Sequence, residues 1–161
     1  MNAYSCCKAS DRLVSVFFGA VDYCADMRVR LTNEATEQAY ARTTVAVAAR
    51  SCDLVALDAP FPDYSNVEAF EKNTLDGVKM GFEGRMIIHP SQIEIAHRLY
   101  SPSAEEVEYA KVVTKFFEEE GLGKGLASVA LDGKMIDTPV YVNAQGVLSR
   151  YQEIQEKEAS K

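Results

Sequence analysis

The chain has 161 residues, 47% hydrophobic and 25% charged, the profile of a folded globular protein with room for one ordinary core. Its net charge is −7, from 24 acidic against 17 basic residues, and no Lys/Arg grouping is denser than Arg28 and Arg30, which argues against a nucleic-acid partner. No apolar run approaches the ~20 residues that a membrane span needs. The N-terminal residues lack a signal-peptide apolar core, so a cytoplasmic protein with no membrane partner is expected.

In chain order, residues 1–12 carry little beyond a short helix end. Leu13 to Phe18 is an apolar run rich in β-branched and aromatic residues, stopped by Gly19, and reads as a buried strand. Asp22 falls in the loop beyond its carboxyl end. A helix is predicted from Thr32 to Arg50, capped by Thr32 or Asn33, with Ala39, Thr43, Ala46 and Val47 on its apolar stripe. Leu54 to Leu57 is a second strand, closed by the proline- and carboxylate-rich Asp58-Ala-Pro-Phe-Pro-Asp63. Ser65 or Asn66 opens a helix over Val67 to Lys79. Gly81 and Gly84 end that helical pattern, Arg85 to Ile88 is a third strand, and His89-Pro90 stops it because proline has no N–H for a ladder. Ser91 stands as N-cap for a helix carrying Ile93, Ile95, Ala96 and Leu99. Strand and helix therefore alternate three times, which predicts a parallel sheet.

The last third differs. Ser103 caps a helix with acids in its first turn and apolar residues at Val107, Ala110, Val113 and Phe117. Glu118 to Gly125 is a glycine-rich linker. Residues 127–131 and 134–136 flank Asp132-Gly133, the dipeptide that favours a type I′ hairpin. Asp137-Thr-Pro139 opens a final helix with Ala144, Val147, Leu148 and Tyr151 on one face, followed by a charged tail from Gln152. Residues 1–100 and 101–161 are read as two regions. The four cysteines, Cys6, Cys7, Cys24 and Cys52, lack C-x-x-C spacing and read as free thiols.

Four stretches in series carry a resemblance: Phe18-Gly-Ala-Val-Asp22, Leu57-Asp-Ala-Pro-Phe-Pro-Asp63, Gly81 to Gln92 with its Ile-His-Pro, and Leu131-Asp-Gly-Lys-Met-Ile-Asp-Thr-Pro139. Together they resemble the C-terminal half of the citrate lyase β-subunit family, of the HpcH/HpaI aldolase and citrate lyase group, which also includes malyl-CoA and citramalyl-CoA lyases. The resemblance implies an α/β fold, here a partial (β/α)8 TIM barrel of the last three βα units, with a C-terminal helix–hairpin–helix lid; a full barrel takes ~250 residues. It further implies Mg2+-dependent retro-Claisen cleavage of a citryl, malyl or citramalyl thioester of CoA or acyl carrier protein, giving a keto acid and an acetyl thioester. A homo-oligomer or a complementing lyase subunit is the implied partner. The family's substrate-holding arginine and metal-binding glutamate on earlier strands have no counterpart here, and the position before Asp22, often Glu in the family, is Val21. A catalytically degenerate subunit with a structural or regulatory role is therefore the alternative.

By the resemblance Asp22 is the Mg2+ ligand and Asp137 the lid's acid/base for the acetyl methyl carbon, although each has a plainer role open to it, an Asx-turn and an N-cap. Asp26, four residues on, shares a face with Asp22 if that segment is helical. Asp58 and Asp63 are expected to shape the site mouth and bond to backbone. His89 is expected to make a structural hydrogen bond and His97 to lie at the surface. Gly121, Gly123 and Gly125 follow a helix and so suit a hinge better than a phosphate loop.

Overall fold

In the computed structural model, which describes residues 2–160, the chain separates into two units, one ending at Tyr100 and the other beginning at Ser101. The first is built on three short parallel strands, β1 (Ser15–Phe17), β2 (Val55–Asp58) and β3 (Gly84–Arg85), hydrogen-bonded in that order. Ser15 pairs with Val55, Phe17 with Leu57, and Leu57 with Gly84. The helices of this unit are α1 (Ala3–Cys7), α2 (Ala20–Met27), α3 (Ala39–Arg50), α4 (Val67–Lys79) and α5 (Ile93–Tyr100). The alternation and the parallel sense agree with the sequence, and Asn66 caps α4 by accepting from Ala69 N at 3.1 Å.

Three local readings need correction. The third strand is shorter than residues 85–88. Met86 N still donates to Asp58 O at 3.0 Å, but Ile88 N turns to the Gln92 side chain at 3.3 Å and leaves the ladder. The segment after β1 is α2, not a loop. The helix expected from Thr32 begins only at Ala39, after a 3-10 turn at Thr36–Gln38. Glu37 explains the delay: its carboxylate accepts from Thr32 N (3.0 Å), Thr32 Oγ1 (2.8 Å) and Gln38 Nε2 (2.7 Å), which folds residues 32–38 back on themselves. Ala35 is held there at φ 54°, buried, with its N–H on Thr32 Oγ1. Burial pushes the Glu37 carboxyl up, but the hydrogen bonds from Thr32 and Gln38 together outweigh it and hold its pKa below the ordinary value.

The buried stripe of α3 also differs from the one expected. It runs Arg42, Ala46, Ala49, while Val47 is exposed. Alanines at 46, 49, 56 and 59 let α3 lie close to the sheet around Phe18 and Phe82, and Phe61, Phe70 and Ala96 form a second cluster. Strand alternation sends Ala56 and Asp58 to this helical side. The other face of the sheet bears Phe17, 58% exposed, and Val55, with Met86 and the 53% exposed Ile88 continuing beyond β3.

The second unit joins α6 (Ala104–Phe116) and α7 (Thr138–Ala159) to a hairpin of β4 (Ser128–Leu131) and β5 (Lys134–Asp137). Ser103 forms a full capping box with Glu106. Val107, Ala110, Val113 and Phe117 are all buried, the last three against Ile136 and Ala144. Asp132 and Gly133 take φ 48° and 76°, the signs a type I′ turn requires. The expected glycine-rich linker is wound instead: Phe117–Gly121 is a π turn and Leu122–Lys124 a 3-10 turn, fixed because the Phe117 ring sits under Gly121, where an added Cβ would lie 2.8 Å from it. The charged tail is also helical, with side-chain bonds such as Gln152 to Glu156 at 2.8 Å along one turn. All four cysteines are free thiols, and among the described residues no helix is long and apolar enough to cross a membrane.

Two helix glycines separate propensity from packing. A Cβ at Gly146 in α7 meets nothing, so Gly146→Ala is expected to stabilise by about 0.5–1 kcal/mol. A Cβ at Gly77 in α4 would collide with Asp58 Oδ2. Gly77→Ala is therefore expected to destabilise by ~2–3 kcal/mol despite the same propensity gain. Urea unfolding of both variants measures the two signs. For Glu37, whose folded pKa is depressed, the carboxylate's stabilisation is present above the unfolded value and lost as the pH falls through the folded one. The wild type should thus lose more stability than Glu37→Gln as the pH drops below ~4, which unfolding curves at graded pH would show; parallel curves would remove Glu37 from the account.

Candidate functional site

The carboxyl ends of the three strands lead into the segments that carry most of the sequence-predicted residues. Phe17 and Phe18 run into Gly19, and α2 starts at once with Gly19 as N-cap and no side-chain cap. That places Asp22 in the first helical turn, where the helix dipole favours a negative charge. Its Oδ2 bends back over Gly19, and a Cβ there would lie 3.2 Å from it. Asp22 is exposed and accepts no hydrogen bond from the described residues. Asp26 is exposed four residues on, in the same helix.

Asp58 is not at a mouth. It is fully buried on the helical side of the sheet, where Arg42, itself 2% exposed, grips it with Nε and Nη2. Ala59 N donates to the same carboxylate at 2.8 Å. Arg42 Nη2 also reaches Asn73 O at 3.3 Å. Arg85 points the same way and donates to Thr74 Oγ1 (2.6 Å), Ala59 O (2.7 Å) and Asn73 Oδ1 (3.3 Å), with its guanidinium 4.8 Å from the Phe70 ring centroid. Burial pushes the pKa of Arg85 down, with Asp58 pulling the other way. Sequence reading left both arginines unassigned. The signal that could have found one of them was Arg42's spacing of four and seven residues from Ala46 and Ala49, which puts a charge in a buried register and so demands a partner.

The loops beyond the strands are latched to one another. Asp63 bonds to side chains, not backbone: Asn33 Nδ2 at 3.1 Å and Ser65 Oγ at 3.0 Å, which hold its pKa below the ordinary carboxylate range. Gln92, 1% exposed, donates to Phe61 O at 2.9 Å and so ties the loop after β3 to the loop after β2. The cap of the following turn is His89, not Ser91: its Nδ1 accepts from Ser91 N at 3.2 Å, which places the proton of the neutral ring on Nε2. The His89 ring stacks on Tyr64 at 4.5 Å and 16°. His97 is exposed on α5.

Asp137, in the second unit, is the last residue of β5 and the N-cap of α7, with Oδ1 accepting from Val140 N at 3.2 Å. Its second oxygen has no partner among the described residues. The described residues contain no group of three or more His, Cys, Asp or Glu suited to hold a metal ion. Asp22 nevertheless fits as one ligand of a hard cation, being an unpartnered carboxylate at a strand end; Mg2+ takes one or two carboxylates and fills its other positions with water and substrate oxygens.

Known proteins place this arrangement. The profile of the HpcH/HpaI aldolase/citrate lyase family matches residues 1–90. Citrate lyase subunit beta of Escherichia coli strain K12 is 38% identical over 142 residues, 88% of this chain and 47% of that protein. The mitochondrial citramalyl-CoA lyase of Homo sapiens is 32% identical over 146 residues, 90% of this chain and 42% of that one. Among solved structures, the protein CitE from Mycobacterium tuberculosis, in complex with magnesium, acetoacetate and coenzyme A, superposes with a TM-score of 0.78 at 29% identity, covering 93% of this chain and 56% of that one. The structural neighbours are barrel folds of the citrate lyase β type, and the chain spans about half the length of the curated relatives it matches. The chain belongs to the HpcH/HpaI aldolase/citrate lyase family.

Proposed function

We propose that this chain supplies part of the active site of a magnesium-dependent carbon–carbon lyase of the citrate lyase β type, and that its first unit is three βα units of a (β/α)8 barrel. The observation that carries the reading is Asp22, a carboxylate left without a partner among the described residues just past the carboxyl end of a strand, where α/β barrels do their chemistry. The substrate is a hydroxyacyl thioester, citryl, malyl or citramalyl, on CoA or acyl carrier protein; the related CitE structure holds magnesium and coenzyme A. Asp22 would hold Mg2+ together with a carboxylate from outside this sequence. When bound, the ion polarises the oxygens of the hydroxy-acid portion.

The cleavage itself balances without a redox partner. The substrate hydroxyl gives its proton to a base of the completed site, the freed electron pair on that oxygen forms the keto C=O, and the pair of the breaking carbon–carbon bond passes to the acetyl thioester as its enolate. Asp137, from this chain or a neighbouring copy, then acts in its protonated form and gives its proton to the enolate carbon, which becomes the methyl group, and is left as the carboxylate. Its cap geometry suits proton delivery, because Val140 N fixes one oxygen and the other is thereby held in a defined direction. The exposed face of Phe17, Val55, Met86 and Ile88 is the surface that further βα units would cover, in a longer chain or a complementing subunit. A second reading, a degenerate subunit with a structural or regulatory role, is favoured by Val21 and by the single candidate metal ligand.

Two measurements separate these readings. In an assembled, active enzyme Asp137→Asn should lower turnover by ~10²-fold or more with little change in KM. Because asparagine caps a helix as well as aspartate does, an unchanged turnover would leave Asp137 as a cap only. The chain alone should bind Mg2+ no tighter than the millimolar range, about −4 kcal/mol, and should not release keto acid. Adding a protein that supplies the remaining barrel strands should raise both together, and Asp22→Asn should remove both again. Calorimetry and a keto-acid assay read the two outcomes; turnover by the lone chain would overturn the incomplete-barrel reading.

A further inference from the structure

The cap bond from Val140 N holds one oxygen of Asp137, and it aims the other only as firmly as the first turn of α7 is itself held. Helix ends fray unless something ties them down. On the strand side the tie is Ile136, 1% exposed and packed in one cluster with Phe117 and Ala144. On the helix side it is Tyr141, four residues after the cap. Its ring lies 5.2 Å from the Phe117 ring at 37°, and its hydroxyl lies 2.9 Å from Glu118 Oε1. Gln145 Nε2, one turn further along α7, donates to the same hydroxyl at 2.8 Å. Since the hydroxyl oxygen accepts from Gln145, its single proton goes to Glu118, and the bond to that carboxylate pushes the Tyr141 pKa up.

Glu118 stands in the π turn Phe117–Gly121, a winding that Gly121 permits by admitting the Phe117 ring. Such turns are rare and recur at functional sites. Neighbouring acids of the same run are used differently: Glu120 pairs with Lys124 along its own turn, whereas Glu118 reaches across to α7. Phe117 and Glu118 thus grip Tyr141 by ring and by hydroxyl, while Ile136 anchors the residue before Asp137 in the same cluster. Glu118 is exposed and Tyr141 half-buried, so the hydroxyl bond replaces one to water and adds little to stability. What it adds is direction, because it fixes the rotation of the turn that Asp137 caps.

We propose that Tyr141 is a positioning residue for Asp137: the Gln145–Tyr141–Glu118 relay clamps the first turn of α7 and holds the free Asp137 oxygen in the direction from which it gives its proton. The inference rests on the lyase reading for what Asp137 does, and on the relay for how it is aimed. Tyr141→Phe keeps the ring on Phe117 and removes only the hydroxyl. In the full chain, hydrogen exchange of the Val140 amide, which Asp137 Oδ1 protects, should then quicken about three- to tenfold. In an assembled, active enzyme the same variant should lower kcat about three- to tenfold with KM unchanged, since a misaimed proton donor loses an interaction made only in the transition state. Glu118→Ala should act alike, whereas Glu118→Gln, whose amide oxygen still accepts the hydroxyl, should stay closer to wild type in both measurements. In an Asp137→Asn background Tyr141→Phe should cost nothing more, where a residue that merely stabilised the fold would add its own loss. Unchanged Val140 exchange, equal losses in Glu118→Gln and Glu118→Ala, or an additive loss on top of Asp137→Asn would each overturn the inference and leave the lyase reading standing. Full turnover in the single variant Asp137→Asn would overturn both together, which sets that failure apart from the others.

Discussion

The buried contact between Arg42 and Asp58 is the constraint around which the first unit is arranged. It joins α3 to the end of β2, and through Arg42 to Asn73 O it also fastens α4. Gly77 belongs to the same contact, since only a residue without Cβ lets α4 approach Asp58. Removing either charge would strand the other in a dry interior, a loss on the order of 3–5 kcal/mol, whereas the intact pair adds little net stability over an apolar replacement. What the pair does specify is register. Asp58 faces the helices only if β2 alternates as it does, and a slip by one residue would carry the carboxylate to the opposite face. The same register delivers Ala59-Pro-Phe-Pro to the carboxyl end of the strand.

From that fixed point the strand-end segments are latched in sequence. Asn33 holds Asp63, Gln92 holds Phe61 O, and His89 lies flat on Tyr64. Nearly every polar side chain there is spent on another. Among the described residues Asp22, Asp26 and the second oxygen of Asp137 are left unspent, and of these Asp22 and Asp137 stand at helix starts, where the backbone fixes their direction. The spent carboxylates, Asp58, Asp63 and Glu37, build the scaffold.

What could be read from the sequence was local. The capping box at Ser103, the Asp132-Gly133 turn, the Asn66 cap and the α6 stripe each depend on residues within a few positions of one another, and each formed where expected. The strands were legible as apolar runs, though the third shrank because Gln92, four residues beyond Ile88, took its N–H. The non-local contacts were hidden. Arg42 was assigned to no face because its partner lies sixteen residues away on a strand. Glu37 reshaped residues 32–38 through three bonds that no helix periodicity encodes. The glycines at 121 to 125 suggested a loose hinge, yet Gly121 is there to admit the Phe117 ring.

The two faces of the sheet are built from different residues, and the difference bears on how the unit is completed. Toward the helices stand Ala56 and Ala59, small enough for α3 to pack through its own Ala46 and Ala49. Toward the other side stand Phe17, Val55 and Leu57, with Met86 and Ile88 in the same alternation. A solvent-facing sheet would alternate apolar with polar residues, whereas strands buried on both faces read as continuous apolar runs. The interior of a (β/α)8 barrel is filled by bulky apolar side chains in layers. Phe17, Val55, Met86 and Ile88 have that character and stay about half exposed, so each forgoes part of the about 1.5–3 kcal/mol that full burial of such a side chain gives. Their identity therefore supports a unit that folds to be closed by more strands, and the active site it contributes to would be assembled by the same closure that buries Phe17.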